Sequence, residues 1–322
     1  MKAAVSTENG LLVTDIPQPT LKPHEILVRV RSAGLNRADL NAARGTGNHG
    51  SMGATLGLDW AGEVVEVGSA AQGGFKPGDR VMCAGAGGYA EYAVADWGRV
   101  VPMPAQGMNF EHAAALPVAV ATMHDAIVTN GKLKAGESIM IQGASSGVGL
   151  MGLQIAKLLG AGLVIGTSTN AERRARLKEF GADLAIDTSN PAWPDQVLEA
   201  TGGKGVNLIV DQVSGPVANG NLKCCAILGR WVNVGRLGGG KAEFDFDLHA
   251  RRRITYIGVT HGTRSVDELR EETRVMWRDL SVPVQSGRLA LPIDKIFPLS
   301  EASAAHAHMK ANRHFGKIVL VP

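Results

Sequence analysis

Residues 138–149 read Ser138-Ile139-Met140-Ile141-Gln142-Gly143-Ala144-Ser145-Ser146-Gly147-Val148-Gly149. A short apolar run, a turn of small residues and the start of an apolar helix follow one another without a gap. Such a turn lets a ligand approach the backbone, and the helix N-terminus offers free N–H groups and the positive end of its dipole. That is the physical requirement for holding a pyrophosphate. Against the pattern G-x-G-x-x-G, Ala144 and Ser146 replace the first two glycines and only Gly149 is kept. The reading therefore rests on the strand–turn–helix context rather than on the glycines.

Working outward, the same texture repeats. Ser138–Gln142, Leu163–Thr167, Leu184–Ile186, Val206–Val210 and Arg230–Val234 read as strands. Between them, Val148–Leu159, Ala171–Phe180, Pro194–Thr201 and Asn219–Ala226 read as helices. Parallel strands need crossovers, so this alternation predicts a parallel sheet with helices on both faces. Toward the N-terminus, Glu111–Asn130 has the length and alanine content of a helix. Before it, short β-branched runs (Ile26–Val30, Glu63–Val67, Arg80–Met82, Tyr89–Val94) alternate with Gly, Pro and Asp, which suits a closed or partly open barrel. After residue 258 come a charged helix (Val266–Leu280), a Pro-bounded stretch, a helix (Ser300–Ala311) and a last strand (Lys317–Val321). The expected organisation is a nucleotide domain at 118–258 and one other domain built from 1–117 together with 259–322.

Composition removes several function classes. The net charge is +3 and aromatic residues are 5% of the 322, which argues against a nucleic-acid-binding protein. The 41 glycines exceed the usual share of ~7% with no repeat to account for them, so tight turns and close approaches are expected. Cys83, Cys224 and Cys225 cannot form a disulfide framework or a four-thiolate zinc site, and are expected as buried small hydrophobes. No apolar run is long enough to span a bilayer and the N-terminus has no signal-peptide core, so the expected location is cytoplasmic.

The end of the second strand decides which dinucleotide. An NAD site usually carries an acid there for the ribose 2′-hydroxyl. This chain has Thr167-Ser168-Thr169-Asn170, then Arg173 and Arg174. Hydroxyls, an amide and guanidinium groups suit a 2′-phosphate, which an acid would repel. NADPH is the expected cofactor, held by Ser145, Ser146, Gly147 and Val148 at the turn and by Ser168, Thr169, Asn170 and Arg173 at the ribose.

Further motifs occur in order. They are Ala33-Gly34-Leu35-Asn36-Arg37-Ala38-Asp39-Leu40, Gly57-Leu58-Asp59-Trp60-Ala61-Gly62-Glu63-Val64-Val65-Glu66-Val67-Gly68, Pro77-Gly78-Asp79-Arg80-Val81 and Gly88-Tyr89-Ala90-Glu91-Tyr92. The run Gly205–Asp211 and the ending Asn312–Pro322 continue them. Together they resemble the medium-chain dehydrogenase/reductase superfamily along essentially the whole chain. The resemblance implies an α/β protein, a GroES-like β-barrel domain plus a Rossmann doubly wound parallel-sheet domain. Zinc members hold their metal with Cys, His and Cys; the matching positions here are Asn36, Leu58 and Val118, and the cysteine-rich lobe is missing. The chain thus resembles the zinc-independent quinone oxidoreductase branch, and its p53-inducible quinone reductase subgroup in particular. No metal is expected.

By that resemblance Asn36, Thr122, Thr188, Val234, Gly235, Arg236 and Arg313 also contact the cofactor, and the Asn36 amide stands where zinc members of the superfamily hold the metal. Asn36 is then the donor for the charge that grows on the acceptor oxygen, Asp39 orients its loop, and His124 is a candidate proton donor or packing residue. The tyrosine that many quinone reductases carry after the Asn-x-x-Asp motif is absent from residues 44–55, where His49 is the only ring. The implied activity is hydride transfer from NADPH to a quinone or conjugated carbonyl. Alternatives are an enoyl or alkenal double-bond reductase and a low-turnover NADPH-binding protein of the crystallin type. A homodimer that extends the Rossmann sheet near 230–235 and 254–259 is expected. His306, His308 and His314 read as a solvated helix surface, and Arg251-Arg252-Arg253 as a solvated run or dimer edge.

Overall fold

The computed structural model describes the chain except for Asn9 and residues 46–51 and 105–106; His49 lies outside the described residues. Two compact units emerge, Met1–Ala121 with His261–Pro322, and Thr122–Thr260. The sequence put the changes after Pro117 and Gly258; they fall after Ala121 and Thr260.

In the second unit six strands run parallel in the order Leu184–Ile186, Leu163–Thr167, Ser138–Gln142, Val206–Asp211, Cys225–Asn233, Thr255–Gly258. Counted along the unit this is 3-2-1-4-5-6, the Rossmann order, whose switch point lies between the first and fourth strands. Strands covered on both faces are apolar throughout. Ile139, Met140, Ile141, Leu208, Ile209 and Val210 are fully buried accordingly. Ligands of such sheets bind where the strand order reverses, beyond the carboxyl ends. There the chain has its small-residue turn.

The first unit carries a seven-stranded sheet. Its path is Ile293–Pro298, Lys317–Val321, Glu25–Gly34, Asp59–Val67, Arg80–Ala84, Val100–Pro102, with Tyr92–Asp96 paired to Glu25–Gly34. The C-terminal strand is therefore a structural member of the N-terminal sheet. It runs antiparallel to Glu25–Gly34, with Val319 opposite Gly34 and Leu320 opposite Ala33. Gly34 is required there, because a Cβ would meet the Ala114 carbonyl oxygen at 2.3 Å. Trp60, Tyr89, Ile26 and Ile318 fill the core.

Several elements differ from the sequence expectation. The segment 111–130 is not one helix: Phe110–Ala114 stops, Pro117 opens Pro117–His124, and a π-helical turn covers Asp125–Asn130. Proline lacks the N–H that a continuous helix would need, and it suits a first turn. Ala171–Phe180 splits into an α-helix, Ala171–Ala175, and a 3-10 turn, Leu177–Phe180. Cys225 and Ala226 are strand rather than helix, because Cys225 already pairs with Val206. Pro283 lies inside a helix that reaches from Val266 to Gln285.

The histidine-bearing tail is not a solvated surface. Helix Ala302–Lys310 buries Ala302, Ala305, His306 and Met309, an i, i+3, i+4, i+7 stripe. His306 packs edge-on to Tyr89 at 5.7 Å between centroids, and burial pushes its pKa down to about 4. His314 is buried, and His308 bonds Asp294 at 2.7 Å. The arginine run ends helix Phe246–Arg252: Arg251 pairs with Asp247, and Arg252 donates to the Cys225 carbonyl at 2.7 Å. All three thiols are buried, which pushes their pKa values up, to about 12 for Cys83 and Cys225.

Candidate active site

The second unit supplies the small-residue turn Gly143–Gly149. Gly143 has φ +73°, a conformation that favours glycine. Its N–H donates to Thr167 Oγ1 at 3.1 Å and the Ala144 N–H to the Thr167 carbonyl at 2.8 Å, so the neighbouring strand holds the turn. Ser146 caps helix Gly147–Leu158, its Oγ accepting from the Gly149 N–H at 3.0 Å. The N–H groups of Gly147 and Val148 stay at the open end, first-turn donors that a helix cannot satisfy internally. A Cβ on Gly149 would lie 2.6 Å from Ala144 Cα and 2.7 Å from the Gly143 oxygen, so the helix closes on the turn only through glycine. This cradle fits a pyrophosphate.

Beside it, Ser168 Oγ donates to Ser145 Oγ at 3.0 Å. Asn170 caps the next helix by accepting from the Arg173 N–H at 2.9 Å, which sets Arg173, half-buried, in that helix's first turn. Arg174 is committed elsewhere: it donates to the Ser168 carbonyl at 2.8 Å and pairs with Asp187 at 3.0 Å. Thr169 and Asn170 are exposed and Thr188 is half-buried.

Under the turn lies a polar layer. Gln142 takes the Thr167 hydroxyl at 2.7 Å and donates to Asn221 at 2.8 Å, and Asn221 donates to Asp211 at 3.0 Å. Burial raises the pKa of Asp211, against N–H bonds from Ser214 and Val213 and from the Trp231 indole. Its backbone carbonyl also accepts from Val234 and Gly235, at 2.8 and 3.1 Å. Ser214 sits at φ +58°, with its hydroxyl donating to the Gly235 carbonyl at 2.8 Å. Arg236 is exposed, Thr122 is half-buried and His124 is fully buried.

The first unit supplies a different kind of centre. Asn36 is buried at the N-terminus of helix Arg37–Ala42. Its backbone N–H donates to Asp39 Oδ2 at 2.7 Å, and the Tyr89 hydroxyl donates to the same oxygen at 2.9 Å. Burial pushes Asp39 up to about 7, against those two bonds and the Lys317 charge. The Asn36 side chain is clamped on both ends: Nδ2 donates to Asp59 Oδ2 at 2.9 Å, and Oδ1 accepts from Lys317 Nζ at 2.9 Å. Lys317 also donates to Asp59 Oδ2 at 2.7 Å, and the Val118 N–H fills Asp59 Oδ1 at 2.7 Å. Of the positions that match a zinc-ligand set, Asn36 and Val118 thus both bond Asp59, while Leu58 is its chain neighbour. Two apolar side chains and an amide already facing an ammonium do not make a donor set for zinc. Arg313 is exposed.

Residues 22–105 match the alcohol dehydrogenase GroES-like domain, and residues 147–278 match the zinc-binding dehydrogenase family. A quinone oxidoreductase of Pseudomonas aeruginosa is 33% identical over 303 residues, covering 93% of this chain and 92% of the relative. The chain belongs to the quinone oxidoreductase branch of the medium-chain dehydrogenase/reductase superfamily. Among solved structures it is similar to the Escherichia coli quinone oxidoreductase complexed with NADPH, at 25% identity, a TM-score of 0.89 and full coverage of both chains. It also resembles part of highly reducing polyketide synthase 40 of Fusarium pseudograminearum, at 32% identity over 308 residues, and spans 12% of that protein's length.

In the sequence Asn36 and Asp39 stand out, whereas their partners Asp59, Lys317 and Tyr89 stand out less. Asp59 follows the apolar Leu58, and only its burial shows what it does. Lys317 did carry a signal: a lone ammonium at the head of the apolar strand Ile318–Val321 asks for a buried partner. Tyr89 lay within a quoted motif with no role attached. Gln142, Thr167 and Asp211 stand out only by their place at strand ends, and Ser214 lies in the loop beyond Asp211.

Proposed function

We propose that this chain is an NADPH-dependent reductase of quinones or conjugated carbonyls that works without zinc. The observation that carries the reading is the Asn36 amide, buried and clamped where relatives hold a metal, with one Nδ2 hydrogen committed to Asp59. When bound, NADPH supplies the hydride. The Gly143–Gly149 turn takes its pyrophosphate, and Ser168, Thr169, Asn170 and Arg173 take the 2′-phosphate. The remaining Asn36 N–H donates to the acceptor oxygen as that oxygen gains negative charge. An oxyanion donor of this kind is worth on the order of 3 kcal/mol, or about a hundredfold in rate. Asp39 holds the Asn36 backbone. The test is Asn36→Ala at saturating NADPH with a simple quinone: kcat should fall about a hundredfold while cofactor affinity stays. An unchanged kcat in a folded variant would show Asn36 to be structural.

A second reading is double-bond reduction of an enone, favoured by the likeness to part of a highly reducing polyketide synthase. Product analysis separates the two, since a saturated ketone marks the enone reductase. We also propose a homodimer. Strand Thr255–Gly258 is an edge of its sheet, with Tyr256 48% and Phe246 76% exposed nearby. Among the described residues this edge has no further strand partner, and such an edge with apolar neighbours invites a second copy. A monomeric mass by light scattering at micromolar concentration would overturn this.

A further inference from the structure

We propose that Lys317 is the positioning residue of Asn36, fixing which way its amide faces; the inference rests on Asn36 being the oxyanion donor. The register leads to it. Antiparallel pairing of Val319 with Gly34 carries Lys317, two residues back, opposite Asn36, two residues on. The Leu35 N–H closes this junction on the Ile318 carbonyl at 2.9 Å. Lys317 is 3% exposed, although the other residues of its strand are all apolar. Burying an ammonium there is costly unless it is paired. A strand that only had to close the sheet would be served by an apolar residue.

What Lys317 adds is direction. An asparagine amide has two orientations that fill nearly the same space. Here Lys317 Nζ donates to Oδ1, and Asp59 Oδ2 accepts from Nδ2. Flipping the amide would set its NH2 against the ammonium and its oxygen against the carboxylate. Both contacts would turn repulsive in a buried site. Asp59 cannot swing away, because its Oδ1 is held by the Val118 N–H and its Oδ2 by Lys317. The backbone is fixed separately through Asp39 and Tyr89. The clamp therefore leaves the second Nδ2 hydrogen in a single direction, as a preorganised donor requires.

The experiment is a double-mutant cycle of Lys317→Met and Asn36→Ala. Its readouts are kcat at saturating NADPH, the NADPH dissociation constant and Tm. Lys317→Met should lower kcat about tenfold or more, leave NADPH affinity within about twofold, and add nothing to the loss in the Asn36→Ala background. Lys317→Arg, which keeps a cation, should recover part of the rate. If Lys317→Met does not fold, the charge-neutral pair Lys317→Met with Asp59→Asn is compared with Asp59→Asn alone, and the same further loss is expected. A fall in Tm with kcat unchanged would make Lys317 structural and overturn the inference. So would a loss that multiplies with that of Asn36→Ala. If Asn36→Ala itself keeps kcat, the reading of Asn36 falls first and the inference with it.

Discussion

The phosphate turn and the Asn36 centre reach order by opposite routes. In the turn, Ser146 caps Gly149 three residues on, and Thr167 holds Gly143 across 24 residues. In the Asn36 centre, the partners lie 23, 258 and 281 residues apart. The turn is local geometry that one strand–turn–helix unit can form. The Asn36 centre is assembled from both ends of the chain and exists only once the C-terminal strand has joined the sheet. The turn also works with neutral groups and a helix dipole, whereas the Asn36 centre buries full charges.

That contrast can be broken by experiment. The largest effect belongs to the buried charges. Asp59→Ala strands Lys317 without its carboxylate, and removing one partner of a buried pair costs about 3–5 kcal/mol. Urea unfolding should show a loss of that size; a loss under about 1 kcal/mol, the worth of a surface pair, would erase the distinction.

A smaller effect is expected in the second unit, where binding rather than folding is at stake. Arg173→Ala should shrink the preference for NADPH over NADH by about 1.5–3 kcal/mol, the worth of a hydrogen bond to a charged group. Arg174→Ala should leave the preference in place, because Arg174 already serves Ser168 and Asp187. Titrating both cofactors into both variants checks this. Equal affinities in the wild type would sink the ribose-phosphate reading.

Per unit of pH, the smallest effect sharpens the comparison through titration. Asp39 is raised to about 7 by burial, so between the ordinary carboxylate range and that value the folded chain keeps a proton that the unfolded chain has lost. Its contribution is fully present at low pH and is lost as pH rises through about 7. Asp39→Asn keeps an oxygen for the Asn36 N–H and the Tyr89 hydroxyl but does not titrate. The unfolding free energy of wild type relative to this variant should therefore fall with rising pH, by at most about 1.4 kcal/mol per unit. A flat difference from about pH 4 to 7 would mean that Asp39 is ionised throughout.

How much was legible follows from these routes. The strands Ser138–Gln142, Leu163–Thr167, Leu184–Ile186 and Lys317–Val321 lie where the apolar runs put them. In Ser138–Gln142 and Leu163–Thr167, burial on both faces leaves a near-continuous apolar signature that needs no tertiary information. Alanine content masks the break at Pro117, and sheet pairing overrides helix propensity at the end of helix Ala218–Cys224. Nothing in the sequence shows that the His306 helix face meets Tyr89, a residue more than two hundred positions earlier.

By itself, then, the amino-acid sequence determined the parallel sheet and the small-residue turn, which depend on neighbours within a few tens of residues, while its resemblance to the superfamily singled out Asn36. Only the tertiary structure decided that Asn36 is clamped by Asp59 and Lys317, that Arg174 is spent on Asp187, and that His306 is buried. The physical reason is that a charged side chain in a sequence carries no mark of its partner. The partner is fixed by strand register, and register is set by the packing of the whole sheet.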